Sequence, residues 1–268
     1  FVKFSTSIKS DADMHDPTVF FIPKNPTLGN FRTVIQSVSY LSTMFKTILF
    51  VGCVALMQLA SCTLTAYGFA RFHFPGRNFL FALVVFTLVI PPQAILLPLY
   101  LKFRFFNVLE IFKFGGTLSG IALTDTIWPF VLLSITAVAF KNGLYIFMLR
   151  QHFYNIPASL EEAAYIDGAG FFRTFVQIIL PLTRPAFATA GVLQFLLCWN
   201  EFQFALTLTT GTEKRTLPIA LYYFKSAFAS DYGAMFAATV LVTVPSIIVY
   251  MLMQKQVISG LAAGSVKE

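Results

Sequence analysis

Charge is what this sequence has least of: Asp, Glu, Lys and Arg make up 12% of its 268 residues, against 57% hydrophobic residues that include 32 Phe. A soluble chain of this length must coat its surface with polar side chains, and here there are too few. Histidine and cysteine are scarce too, at 3 each. Cys53, Cys62 and Cys198 all lie inside apolar runs, and an odd count without metal-ligand spacing argues against both a disulfide framework and a zinc site. They read as small packing residues. The His residues are far apart, none at ligand spacing from a Cys or carboxylate, and His73 is expected on the surface. A phosphate-binding G-x-x-x-x-G-K-[ST] run is absent as well: Gly115 and Gly120 have the spacing, but Ile121 follows where the motif needs Lys. The chain is therefore expected to hydrolyse no ATP by itself, and no catalytic or metal-ligating constellation is found. No basic-then-apolar signal pattern opens the sequence, and the first residue is Phe1, which places an upstream segment before it as an expectation.

What is present is a series of apolar runs, with a mean hydropathy of +0.73. Runs of about 20 such residues match the thickness of a bilayer core. The expected fold is all-α, a polytopic transmembrane helical bundle with about five spans: 45–69, 78–99, a span within 117–150, 184–208 and 233–254. The third can occupy either 117–140 or 126–150; the second is favoured, and it puts Lys141 and Asn142 inside the membrane. In the first, Gly52, Ala55 and Ala60 form a small-residue stripe suited to close helix packing. Pro91-Pro92 must free backbone carbonyls that only protein or water can satisfy at that depth. Residues 1–44, with Asp11, Asp13, Asp16, Pro17, Pro23 and Pro26, form a polar, turn-rich stretch expected to be folded or docked.

One long passage is amphipathic, from Pro157 to Pro185. Ser159, with Glu162 three residues on, has the spacing of a capping box. Ala163 and Ala164 leave one helical face nearly bare, while Glu161 and Glu162 offer charge to a basic partner. Asp167-Gly168 ends that helix, because Gly accepts the left-handed conformation that stops one. A second helix follows, with Phe171, Phe175, Ile178 and Leu182 spaced as one apolar stripe. By spacing alone this is either an ordinary helical hairpin between spans or a docking element.

Two further sites stand out. Glu201, with Trp199 and Asn200, sits deep in an apolar span, where an ionisable group is costly. It either makes a structural hydrogen bond between helices, or joins Asn200 and Gln203 in bonding sugar hydroxyls while Trp199 stacks on the ring. Lys141 either snorkels to an interface or lines a path for an acidic substrate. Basic residues number eleven on the inferred outer side (Lys3, Lys9, Lys24, Arg32, Lys46, Lys102, Arg104, Lys113, Lys214, Arg215, Lys225) and seven on the inner (Arg71, Arg77, Arg150, Arg173, Arg184, Lys255, Lys267). That reverses the usual bias and invites an acidic partner outside.

The run Glu162-Ala163-Ala164, then Gly168, then Ile178-x-Leu180-Pro181 resembles the EAA motif of ABC importer permeases. FIPKNPTLGNF at 21–31 with its preceding Phe20, SIKSDADM at 7–14, IPPQAILLPLY at 90–100, LYIFMLRQHF at 144–153 and the tail from Gly260 through Leu261, Ala263, Gly264, Val266 and Lys267 resemble further segments of the maltose-type, carbohydrate class. The resemblance implies the six-helix permease fold with its first helix before Phe1. It implies 1–44 as an external loop with the end of that helix, and 45–268 as the transmembrane domain. It implies a cytoplasmic coupling loop at 152–183 in which Ser159, Glu161, Glu162, Ala163, Ala164, Asp167, Gly168 and Ala169 meet an ATPase, with the C-terminal tail ordered against the ATPases. The substrate path would run past Lys141, Asn142, Trp199, Asn200, Glu201 and Gln203.

The implied partners are a second permease subunit, two ATPase subunits that hold ATP and Mg, an external solute-binding protein, membrane lipid and a carbohydrate. No nucleic-acid partner and no cofactor in this chain are expected. The implied location is a bacterial or archaeal cytoplasmic membrane, and the implied activity is alternating-access import of an oligosaccharide, neutral or acidic. Rival readings are an importer of another small solute such as a sugar phosphate, a channel or ion-coupled carrier, and a structural membrane subunit; no inverted repeat supports a carrier.

Overall fold

The computed structural model describes residues 2–107, 120–138, 141–201, 203–209, 216–227 and 231–265, with side chains beyond Tyr222 in the 216–227 stretch and beyond Lys255 in the last one left aside. Among them every regular element is helical, and only two isolated bridges occur, Lys9 with Pro26 and Phe106 with Ile121. In chain order the helices are α1 (Val2–Ser7), α2 (Asp11–His15), α3 (Gly29–Ser37), α4 (Tyr40–Arg71), α5 (Arg77–Phe86), α6 (Pro92–Arg104) and α7 (Trp128–Ile135). They continue as α8 (Asn142–Tyr154), α9 (Ser159–Ile166), α10 (Phe171–Leu182), α11 (Arg184–Asn200), α12 (Gln203–Leu208), α13 (Leu217–Ala227) and α14 (Tyr232–Ser265). Two compact units result: Phe1–Gly52 with Thr124–Thr126 and Trp199–Met251, and Cys53–Leu123 with Ile127–Cys198 and Leu252–Glu268.

Among the described residues two helices are long and apolar enough to cross a membrane, α4 and the Tyr232–Lys255 stretch of α14, and α10 with α11 pass the same test as a pair bent by 79°. The other expected spans are broken. The run 78–99 divides into α5 and α6, because Pro91 and Pro92 do not sit within a helix but open a new one, where a missing N–H costs nothing. The run 126–150 divides into α7 and α8, with Ala137 (φ 56°) and Lys141 (φ 61°) in left-handed conformations between them. The run 184–208 divides at Glu201.

The buried face of α4 also differs from the expected stripe. Val51, Val54, Ala55, Gln58, Cys62, Ala66, Tyr67 and Ala70 are buried, whereas Ala60 is exposed and a side chain on Gly52 would meet nothing. Close approach is realised instead at Gly143 of α8, where a Cβ would lie 2.5 Å from the Val84 carbonyl oxygen and 2.6 Å from Thr87 Oγ1. Cys62 packs as expected, but Cys53 is exposed.

Within the second unit, Cys62, Ala66, Tyr67 and Ala70 of α4 meet Tyr145, Ile146, Leu149 and Phe153 of α8 and Phe175, Ile179, Ala186 and Ala190 from α10 and α11. Above this core is a polar layer. Gln58 Nε2 donates to Asn142 Oδ1, Cys198 Sγ contacts Gln58 Oε1 at 3.5 Å, and Gln194 Nε2 reaches Cys62 Sγ at 3.8 Å. Gln58 and Cys62 are one turn apart, as are Gln194 and Cys198, so each glutamine meets the other helix's cysteine.

In the first unit the segment before Tyr40 is folded, as expected from its turn residues. Asp13 Oδ2 receives the Asn25 N–H at 2.7 Å, Thr27 N donates to the Ile8 carbonyl at 2.8 Å, and Asn30 Nδ2 donates to the carbonyls of Ser7 and Lys9 at 3.0 and 2.9 Å. Two of the basic residues assigned outside are already engaged there. Lys9 is buried on backbone carbonyls, and Lys24 pairs with Asp16 at 2.7 Å.

Candidate functional site

The amphipathic passage folds as two helices, α9 and α10, but its first turn is not capped as the spacing predicts. Ala158 is the N-cap of α9, and no side chain caps it. Ser159 already lies inside the helix, because the Ala158 carbonyl receives the N–H groups of Glu161 and Glu162 at 2.9 and 3.1 Å. From a helical position the Ser159 hydroxyl points away from the first-turn N–H groups, so the capping box does not form. The end of α9 follows expectation. Gly168 has φ 79°, its N–H donates to the Tyr165 carbonyl at 3.0 Å, and the Ala169 N–H donates to the Ala164 carbonyl at 2.9 Å. This is a Schellman closure, and it needs the left-handed residue that Gly168 supplies.

The charge on α9 is divided. Glu161 faces inward, where its Oε1 accepts from Arg71 Nε at 2.7 Å, with the two side chains only 10% and 14% exposed. Arg71 Nη2 donates to the Ile156 carbonyl at 2.8 Å, so the guanidinium ties the end of α4 to both sides of the Pro157 turn. Glu161 is therefore not an offer to an outside partner; its charge is taken up within the chain. Glu162 remains exposed. Ala164 is buried beside Glu161, while Ala163, Tyr165, Asp167 and Gly168 are exposed and Ile166 is 86% exposed. Of the two alanines only Ala163 leaves an outward face bare.

α10 anchors the loop. Tyr67 of α4 lies 4.7 Å from Phe175, 5.3 Å from Phe153 and 5.8 Å from Phe171, ring to ring. The expected stripe holds at Phe171, Phe175 and the partly buried Ile178 and then shifts: Ile179 and Thr183 are fully buried and Leu182 is exposed. The cause is a π-helical turn over Phe175–Ile179, whose extra residue rotates everything beyond it by about one position.

The residues expected along a substrate path fall in both compact units, Lys141 and Asn142 in the second and Trp199, Asn200, Glu201 and Gln203 in the first. Lys141 is exposed, at the turn that precedes α8. Its neighbour Asn142 is buried on Gln58, and its Nδ2 has no hydrogen-bond partner among the described residues, nor has Gln194 Oε1. Trp199 is fully buried, and its Nε1 donates to the Val242 carbonyl at 3.2 Å, so its ring is packed in protein rather than presented for stacking. Glu201 Oε1 accepts the Phe204 N–H at 3.1 Å, a local bond at the start of α12 rather than a link between distant helices. Asn200 and Gln203 are exposed on either side of it.

Arg71, Gln58 and Gln194 were not singled out from the sequence. Gln58 and Gln194 carried the same signal as Glu201, a polar side chain in an apolar run; Arg71 read only as a loop charge.

The family model for "Binding-protein-dependent transport system inner membrane component" matches residues 62–262. The ABC transporter permease protein ORF2 of Caldicellulosiruptor sp. (strain Rt8B.4) is 33% identical over 98% of this chain and 88% of its own length. The trehalose transport system permease protein SugB of Mycobacterium tuberculosis (strain CDC 1551 / Oshkosh) is 29% identical over 98% of this chain and 90% of its own. A solved structure of a bacterial ABC transporter involved in the import of the acidic polysaccharide alginate shares the fold, with a TM-score of 0.74 and 24% identity over 95% of this chain and 88% of the solved one. An all-α chain with membrane-crossing helices and an amphipathic two-helix loop, matched over most of its length by these permeases, belongs to the binding-protein-dependent transport system inner membrane components, the permeases of ABC importers.

Proposed function

We propose that the chain is the membrane-spanning subunit of an ATP-driven importer of oligosaccharides, coupled through residues 152–183 to separate ATPase subunits. In this reading a second permease completes the path, a solute-binding protein delivers the sugar to the side where 1–44 lies, and ATP and Mg are held by the ATPases. The observation that carries it is the division of α9. Its inward face is fixed to α4 by Arg71 and Glu161, and its outward face exposes Ala163 and Ile166, with none of the described residues over them. A push on that face is transmitted to α4 as a rigid displacement, because the ion pair and the Tyr67 ring cluster leave the loop little freedom of its own. The sugar class is supported by the trehalose permease among the relatives.

The C-terminal residues Gly260 to Lys267 are assigned to the same ATPase contact. The α14 backbone is helical as far as Ser265, and Val266 and Lys267 lie outside the described residues. The path residues Lys141, Asn142, Asn200, Glu201 and Gln203 belong to the proposal on the footing that a moving helix break can expose them. Trp199 requires the larger rearrangement.

The test is reconstitution of the complex in proteoliposomes, with oligosaccharide uptake and ATP hydrolysis measured together. Ile166→Asp should abolish ATPase association while leaving the permease in the membrane. Normal ATPase binding and uptake by that variant would refute the assignment. Lys141→Gln, assayed with matched neutral and uronate oligosaccharides, reads the charge of the sugar: selective loss of the uronate assigns Lys141 to an acidic substrate, and equal uptake removes it from the path.

A further inference from the structure

The segment before α4 displays three consecutive hydrophobic residues at its tip. Phe20, Phe21 and Ile22 are 74%, 58% and 80% exposed. Such a run is ordinarily turned inward, and three in a row on a surface mark an interaction site. The backbone beneath them is unusual in how it is satisfied. Lys9, itself buried, donates from Nζ to the Val19 carbonyl at 2.7 Å and to the Phe20 carbonyl at 3.2 Å. Ser5 Oγ donates to the Phe21 carbonyl, and the Val19 N–H donates to the Asp16 carbonyl at 3.1 Å. Three successive carbonyls that water would serve in a solvated loop are thus served by side chains of the protein. That arrangement suits a tip that leaves water, where an unpaired backbone carbonyl is costly.

Charge and position narrow the partner. The surface charges flanking the tip are Asp16 and Lys24, and they neutralise each other at 2.7 Å, while the charges beneath it, Lys9 and Asp13, are buried; the exposed surface of the tip therefore offers no net charge to a charged protein surface. The tip also lies in the same compact unit as the first turns of both long helices. Asn30, whose amide holds the Ser7 and Lys9 carbonyls, packs so closely on the start of α14 that a Cβ at Gly233 would lie 2.6 Å from its Nδ2. α3 passes through Ser39 directly into α4, where Leu41, Phe45 and Leu49 form an exposed apolar stripe at four-residue spacing. On a membrane-crossing helix, an exposed apolar stripe of this kind suits contact with acyl chains. Helix α1, joined to the tip through Ser5, exposes Val2 and Phe4 in addition.

We propose that Phe20-Phe21-Ile22 is a membrane-interface anchor: the tip inserts into the acyl boundary of the leaflet at which α4 begins, with Lys9 serving as its internal carbonyl donor. Interfacial insertion reaches about 5–10 Å into the boundary between headgroups and acyl chains, which the side chains of a three-residue tip can span.

The experiment places a reporter at the tip of the full chain within its assembled complex in lipid nanodiscs. Phe21→Trp and, separately, Ile22→Trp are compared with the parent, whose own tryptophan emission is subtracted. Added emission that is blue-shifted, loses most of its intensity in lipids brominated near the top of the acyl chain and resists aqueous acrylamide is the result expected. Quenching by acrylamide without quenching by brominated lipid would overturn the proposal by placing the tip in water. Shielding from both quenchers would overturn it by placing the tip against another protein subunit, and shielding that arises only when the solute-binding protein is added would assign the tip to that protein.

Discussion

Replacing Glu161 by Ala removes the carboxylate that receives Arg71 Nε at 2.7 Å and leaves a guanidinium in a pocket where its side chain is only 14% exposed. Breaking a fully buried ion pair costs about 3–5 kcal/mol, chiefly through the uncompensated charge left behind. Here Arg71 keeps its bond to the Ile156 carbonyl and both side chains retain some contact with solvent, so the expected cost is lower, about 2–3 kcal/mol. At about 1.4 kcal/mol per tenfold, local opening of α9 should rise roughly 30- to 140-fold. Amide hydrogen exchange reads this directly at Asp167, Gly168 and Ala169, whose N–H groups close the helix on Ala163, Tyr165 and Ala164. Arg71→Ala should produce a comparable loss, and the double variant should cost less than the sum, with a coupling of about 1–2 kcal/mol. Protection in Glu161→Ala within about threefold of wild type, a change near 0.65 kcal/mol, would refute the clamp. So would strictly additive single variants.

Four other outcomes follow from the same geometry. Gly168→Val should destabilise the end of α9 by about 1–2 kcal/mol through backbone strain alone, because a side chain there meets nothing, whereas Gly168→Asn should be tolerated; ATPase coupling of the two variants is the measurement. Ser159→Ala should change thermal stability by less than about 0.5 kcal/mol, since the hydroxyl caps nothing; a loss near 1 kcal/mol would restore the capping box. Gln58→Leu leaves the buried Asn142 amide unpaired and should cost about 1–3 kcal/mol in unfolding measurements, and adding Asn142→Leu should recover part of it. Lys24, followed by Thr18, holds the Asp16 carboxyl well below the usual carboxylate range, so its contribution to stability is present above the unfolded-state pKa and is lost as pH falls through the lower folded value; protection of the Thr18 amide, taken relative to its intrinsic exchange rate at each pH, should fall on acidification, and Lys24→Met should move the onset to higher pH.

The sequence by itself determined the class of this protein and the position of its loop. Composition excluded a soluble fold, because a polar coat cannot be built from so few charged residues, and the spacing of Pro157, Gly168 and the apolar positions after it located α9 and α10. Gly168 was legible because a left-handed residue at a helix end is a local demand that one residue type meets. Helix breaks at Pro91-Pro92 and Asn200–Glu201 left only partial traces, and those at Ala137 and Lys141 left none, since a hydropathy window averages over them. Tertiary structure alone decided which way side chains face. Glu161 and Glu162 are adjacent and chemically alike, yet Arg71, ninety positions earlier, turns one inward and leaves the other in solvent. The π turn in α10 carries the fully buried register to Ile179 and Thr183, leaving Ile178 partly buried against the core and Leu182 exposed, a shift that an uninterrupted period does not foresee. Trp199 followed the same rule, since the Val242 carbonyl that receives its N–H is distant in sequence and near only in the fold. Local signals fix where a helix runs and where it stops, but the partner of each side chain is a long-range contact, and only folding supplies it.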